Sequence, residues 1–301
     1  GPTSVCVGST ITLSDATPGG TWASGSTGIA TIGSSSGVAA GVSPGTSAIT
    51  YRLPTGCLIT TTITVLSTPG PITGSMTVCT GFTTTLSDAI SGGTWTSSAP
   101  GTATVGTGTG VVTGVIPGTT VITYTLSTGC FRVATVTVNP SPGAITGPTS
   151  VCVGSTITVS DATVGGTWVS SNPGVATVGS ASGIVTGVSA GGVVISYVMP
   201  TGCAATYSII VNALPASIAG LFNVCVGATT TLVSSGSGTW TSSAPGTAVV
   251  GASSGIVTGM SPGTATITYT LPTGCLTTAT VTVYANPAPI TGPTSLCVGT
   301  S

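Results

Sequence analysis

Nine cysteines are the side chains best placed to do chemistry in this 301-residue chain, and the chemistry their spacing suggests is disulfide formation. They form two series. Cys6, Cys79, Cys152, Cys225 and Cys297 recur at 73, 73, 73 and 72 residues, and Cys57, Cys130, Cys203 and Cys275 at 73, 73 and 72. So many cysteines in a repetitive, charge-poor chain point to an oxidising compartment, hence to a secreted, extracellular or cell-surface location. Little else can react. Only Arg52, Arg132, Asp15, Asp88 and Asp161 carry charge, which is 2% of residues, and there is no His, Lys or Glu. Ordinary soluble domains carry about 25%. A general acid–base pair, a zinc site and a Ser-His-Asp triad each need residues that are absent. We therefore expect no enzyme, no metal and no cofactor. Nucleic acid is not an expected partner either, because a phosphate backbone must be met by clustered Lys and Arg. No apolar run reaches the length of a membrane span. The chain opens on GPTSVCVG, without a basic start or an apolar run, so its first residue is not expected to begin the gene product unless a signal has been removed.

The elements that hold the cysteines repeat with them. Trp22, Trp95, Trp168 and Trp240 keep the same step, as do Tyr51, Tyr124, Tyr197 and Tyr269. The residue lost from the last interval falls before Trp240, where LVSSGSGTW replaces the longer LSDATPGGTW, and a change of length there marks a loop. The expected organisation is four repeats over 1–70, 71–143, 144–216 and 217–288, with 289–301 opening a fifth.

Within each repeat the apolar period is 2. Ile267, Tyr269 and Leu271 share one face of a segment whose other face is Thr266, Thr268 and Thr270, and Val281 and Val283 alternate with Thr280 and Thr282. Thr and Val favour strands because Cβ branching packs well on a pleated surface. Turn signals recur every eight to twelve residues. The second repeat reads as seven strands, near 72–79, 82–87, 93–97, 103–105, 111–115, 120–126 and 131–138, and no segment has helical spacing. The fold class expected is all-β, as tandem immunoglobulin-like sandwiches of about seven strands each, stacked head-to-tail as a rod.

The segment TWVSSNPGVATVGSASGIVTGVSAGGVVISY, residues 167–197, resembles the bacterial Ig-like group 2 (BIG2-type) domain in its W-x-S-S, A-T-V, G-x-V-T-G and G-T-A-x-I-x-Y motifs. All four repeats carry the pattern, with Ala40 and Gly192 standing where Thr is usual. The resemblance implies a piece of a very large surface protein, similar to those of gliding, type IX-secreting bacteria. There such arrays build filaments, stalks and adhesins, and related modules bind host receptors or carbohydrate.

Each recurring residue has a plain reading beside a sharper one. Trp22, Trp95, Trp168 and Trp240 could stack on sugars, but one tryptophan per repeat on the third strand is expected in the core. Tyr51, Tyr124, Tyr197 and Tyr269, inward between aliphatic neighbours, are read as core with the hydroxyl on a backbone partner. Asp15, Asp88 and Asp161 sit at a turn and are read as bonding their own backbone, since calcium needs several converging oxygens. Arg52 and Arg132 read as solvated surface.

Two functions remain. One is a structural segment of an extracellular filament or adhesin stalk, whose partners are neighbouring copies or further repeats of the same protein. With so little charge to repel, such rods are expected to associate laterally or polymerise. The other is a module that grips a surface glycan or a receptor, which would need an exposed aromatic cluster. The aromatics outside the recurring set, Phe82, Phe131, Tyr207, Phe222 and Tyr284, do not repeat, and the structural reading is preferred. For the disulfides, pairing within a repeat would give 6–57, 79–130, 152–203 and 225–275. The seven-strand count favours pairing between repeats. It places the first cysteine and the second at opposite poles, about 25 Å apart, against the 7 Å limit between bridged Cα atoms. The preferred pairs are Cys6 with Cys130, Cys79 with Cys203 and Cys152 with Cys275, leaving Cys57, Cys225 and Cys297 for partners beyond this segment.

Overall fold

The computed structural model describes residues 3–292; Cys297 and the rest of the expected fifth repeat lie outside the described residues. Every regular element among them is a strand. The chain divides into two compact units, Gly1–Ser141 and Pro142–Ser301.

The first unit contains fourteen strands in two sets of seven. The first set is β1 (Ser4–Cys6), β2 (Thr10–Thr12), β3 (Thr21–Ser24), β4 (Ala30–Ile32), β5 (Val38–Gly41), β6 (Gly45–Arg52) and β7 (Leu58–Leu66). The second is β8 (Thr77–Cys79), β9 (Thr83–Thr85), β10 (Thr94–Ser97), β11 (Ala103–Val105), β12 (Val111–Gly114), β13 (Gly118–Thr125) and β14 (Phe131–Asn139). Each set builds two sheets, ordered β1-β7-β6-β3 with β2-β5-β4, and β8-β14-β13-β10 with β9-β12-β11. Second, fifth and fourth strands on one sheet, with third, sixth and seventh on the other, is the immunoglobulin arrangement. The short first strand joins the last one in parallel, Ser4–Cys6 against Thr64–Leu66 and Thr77–Cys79 against Thr137–Asn139. The other strand ladders in this unit are antiparallel, and single parallel bridges join Val7 to Gly41 and Thr80 to Gly114. In the second unit the same order recurs over 150–212 and over 223–284, where a further two-residue strand, Ala219–Gly220, pairs with Thr229–Val233. The chain is thus a tandem series of Ig-like β-sandwiches.

Alternation explains the strands. Along β13, Thr120, Ile122 and Tyr124 are buried while Thr119 and Val121 are exposed; along β14, Val136 and Val138 face in. With Val112, Trp95 and Leu86 they fill one core cluster. Burying each Val or Ile contributes about 1.5–3 kcal/mol. The buried Thr120 hydroxyl is not orphaned: it lies 3.0 Å from Ser97 Oγ and accepts from the Ala99 amide at 3.1 Å. One turn depends on glycine. Gly110 has φ +69°, and a Cβ there would overlap the Leu86 carbonyl oxygen and lie 3.1 Å from Trp95 Nε1. Gly37, Gly183 and Gly255 repeat this, which accounts for the glycine ahead of each V-T-G-like strand.

One core assignment needs correction. Trp95, Trp168 and Trp240 are buried, but Trp22 is only partly so, although it packs on the first core cluster. In the second unit Ile145 and Ile218 close the corresponding clusters, and in the first unit Ile72 packs against the cluster around Trp95. Among the described residues nothing equivalent covers Trp22, which lines an open pocket of 190 Å³ with Leu13, Ile49 and Tyr51.

Candidate functional site

The joints between repeats carry the covalent chemistry. In the first unit Cys6, the last residue of β1, is joined to Cys130, which immediately precedes β14, with Cα atoms 5.8 Å apart. In the second unit Cys152 is joined to Cys275 with Cα atoms 5.6 Å apart. Each bond therefore ties the first strand of one repeat to the turn that opens the last strand of the next. The fold explains why. Cys79 pairs in register with Asn139, at the far end of a nine-residue strand that starts beside Cys130. That strand spans roughly 25–30 Å, well beyond disulfide reach. Cys79 and Cys203 each take part in a disulfide as well. Among the described residues the free cysteines are Cys57 and Cys225, both exposed.

Polar contacts reinforce the joint in the first unit. Thr68 Oγ1 donates to the Val7 carbonyl at 3.0 Å, and Arg132 Nε donates to the Pro69 carbonyl at 3.3 Å. Arg132, expected as bare surface, is exposed yet anchored to the connecting segment. Arg52 is exposed at the end of β6. The connecting segment itself is rich in proline, which narrows the backbone freedom lost on ordering.

The recurring aromatics brace each sandwich. Trp95 and Tyr124 are register partners, with ring centroids 4.5 Å apart and planes tilted by 38°. The pairs Trp22–Tyr51, Trp168–Tyr197 and Trp240–Tyr269 have centroids 4.6, 4.7 and 4.6 Å apart. Tyr124 Oη accepts from the Gly93 amide and donates to the Ile90 carbonyl, both at 2.8 Å. Tyr51 and Tyr197 do the same. Tyr269 reaches Gly236, 33 residues back rather than 34, which places the lost residue in this loop.

The aspartates cap the same loops. Asp15, Asp88 and Asp161 each accept through Oδ1 from the amide two residues on, at 2.8, 2.9 and 2.7 Å. Asp88 Oδ2 and Asp161 Oδ2 are enclosed without a hydrogen-bond partner. No group of three metal-ligating side chains occurs among the described residues. Phe82, Phe131, Phe222 and Tyr284 are exposed at four different places in the repeat: the turn after the first strand, the start of the last strand, the approach to the first strand and the end of the last. Tyr207 donates its hydroxyl to the Gly147 carbonyl.

Two roles were not read from the sequence. Ser97 Oγ, two residues after Trp95, donates to the Ala103 carbonyl at 2.7 Å, and Ser24, Ser170 and Ser242 repeat the bond. The serine of the W-x-S motif was the available signal. Of the isoleucines that pack on the cores, Ile145 and Ile218 lie in segments that connect repeats, and Ile72 lies at the start of the expected first strand, 72–79, of which the structure keeps Thr77–Cys79 as a strand.

No protein-family model matches the sequence, and no curated protein matches it. Similar solved structures include Drosophila N-cadherin EC1-4, at 12% identity over 92% of this chain and 94% of that one, with a TM-score of 0.25. Invasin, a bacterial integrin-binding protein, is similar at 14% identity over 91% and 75%, with a TM-score of 0.34. The C-terminal fragment of intimin in complex with the intimin-binding domain of its translocated receptor is similar at 21% over 51% and 66%, with a TM-score of 0.31. The immunoglobulin-like fold of this chain rests on its own sheet order.

Proposed function

We propose that this chain is a structural segment of an extracellular filament or adhesin stalk, a rod of Ig-like repeats held together by disulfides. The repeats are those bounded at 70, 143, 216 and 288, and the partners are further repeats or neighbouring copies of the same protein. The observation that carries the reading is the joining of Cys6 to Cys130 and of Cys152 to Cys275, because both bonds cross from one repeat into the next. A disulfide that stabilised a lone sandwich would close within it. These fix the angle between sandwiches, which matters only if the array bears load or keeps its length. Carrying the spacing one step on pairs Cys79 with Cys203. Near-identical repeats such as GTWTSSAPGTA in the second and fourth also suit a spacer, since ligand-binding loops need distinct side chains.

Negative-stain microscopy of the full chain tests the proposal. Threads of four equal beads are expected. Compact particles under non-reducing conditions would overturn it.

A further inference from the structure

One sheet face keeps exposed aliphatic side chains at the same two places in every repeat. The central strand of each three-stranded sheet starts with Val38, Val111, Ile184 or Ile256, all exposed on the side away from the core. Val42, Val115, Val188 and Met260 follow directly on that strand. Their amides donate to the carbonyls of Ile29, Thr102, Val175 and Thr247 at 2.8 or 2.9 Å, so the alternation carries on to them. All of these side chains are between 36% and 52% exposed. Threonines surround them: in the second repeat Val111 lies opposite Thr85, and Thr113 lies between Thr83 and Thr104. No strand of this sheet carries a charged residue in any repeat. The outer face of the four-stranded sheet behaves differently. Val133 there has Thr60, Thr206 and Thr278 at its place in the other repeats, and Ile210 has Thr64, Thr137 and Thr282. A hydrophobic residue exposed singly needs no explanation, whereas a pair kept on one charge-free face marks an interaction surface.

We infer that the outer face of the three-stranded sheet is where a second copy of this chain docks, sheet against sheet. Two observations choose the occupant. The face has no charge with which to attract a charged partner, and it suits its own copy, because a two-fold axis sets the same patch against itself. The spacing is the second. A partner that engages more than one repeat needs matching faces at intervals of 73, 73 and 72 residues, and this chain has them. Area then sets how many repeats must take part. Three strands about 4.8 Å apart, each about four residues long at 3.3 Å per residue, cover roughly 190 Å². A stable interface needs about 800 Å² per partner, so one repeat is too small and about four are required.

The inference rests on the stalk reading, whose partners are neighbouring copies, but threads that stay single would overturn it and leave that reading standing. Sedimentation velocity of the full chain, its free thiols blocked with iodoacetamide, should show a mass that rises with concentration. The combined variant Val38→Lys, Val111→Lys, Ile184→Lys and Ile256→Lys should weaken association by roughly tenfold or more. The same four charges on the other sheet, as Thr60→Lys, Val133→Lys, Thr206→Lys and Thr278→Lys, should change it by less than about threefold. Far-ultraviolet circular dichroism checks that both variants keep their strands. Should the lysines unfold the chain, threonine at Val38, Val111, Ile184 and Ile256 keeps the Cβ branch and should still weaken association. A wild type that stays monomeric at every concentration would overturn the inference. So would undiminished association of the folded variants of the three-stranded face, or an equal loss in both lysine sets, which would assign the effect to net charge.

Discussion

Trp168 lies directly across from Tyr197 on neighbouring strands, ring centroids 4.7 Å apart, and a Cβ at Gly183 would come within 3.2 Å of the indole. Aromatic pair, turn glycine and loop cap thus form one unit repeated along the chain. Trp168→Ala should lower the stability of its repeat by roughly 3–5 kcal/mol. Trp22→Ala should cost less, because Trp22 already borders an open pocket. Calorimetry on the two variants checks the order; equal losses would contradict the difference in burial.

The tyrosine hydroxyl can be removed without its ring. Tyr124→Phe strands the Gly93 amide and the Ile90 carbonyl, at a cost of about 1–3 kcal/mol. Tyr207→Phe, which deletes one bond at a less buried site, should cost less. Urea midpoints at unchanged slope would report both.

Gly110→Ala places a methyl group against the Leu86 carbonyl oxygen in a turn with φ +69°. A loss of roughly 2 kcal/mol or more is expected, above the usual cost of alanine at positive φ. Gly108→Ala, two residues away in open space, should be close to neutral. The pair separates steric overlap from any general effect on the turn.

Reduction should loosen joints and spare sandwiches. The Cys6–Cys130 bond closes a stretch of 124 residues, a constraint worth about 4–5 kcal/mol in the chain-entropy treatment. Yet each core cluster lies within one repeat. Dithiothreitol should lower the melting temperature while the far-ultraviolet β-sheet signal persists at room temperature. Collapse of that signal would mean that the repeats fold only when linked. Non-reducing peptide mapping should also return a cross-link between Cys79 and Cys203, whereas one between Cys79 and Cys130 would place that bond inside a repeat.

Without His, Lys or Glu, the chain has almost no side chain that changes charge between about pH 5 and pH 8. Native and unfolded states then bind the same number of protons, so stability should be flat across that window. Lateral bundles, if they form, should persist in about 1 M NaCl, since there is little charge to screen. Dissolution by salt would show that charge holds them together.

The seven strands were legible because alternation at period 2 is strong in segments such as Gly118–Thr125 and Phe131–Asn139. The parallel docking of Thr77–Cys79 on the last strand was not, since three residues carry no pattern that names a partner. Ile72, Ile145 and Ile218 were missed for a related reason. Ile72 and Ile145 are each the one large apolar residue in a short stretch of Pro and Gly, Ile218 stands in an apolar stretch without a strand period, and the role of all three appears only once the neighbouring Trp is seen to need a cover. Trp22 shows the converse: its sequence context matches the other three, but it is only partly buried, because among the described residues no such isoleucine packs on its cluster.

The parallel pairing of first and last strands has a mechanical consequence. Tension applied to the two ends of the second repeat pulls Thr77–Cys79 backwards along its own axis and Phe131–Asn139 forwards along the same direction. The ladder between them is loaded in shear, so its hydrogen bonds must yield together rather than peel one after another. Rupture force should therefore greatly exceed that of a hairpin with the same number of bonds, and only after reduction of the disulfides that bridge the joints should the linkers extend before the sandwiches.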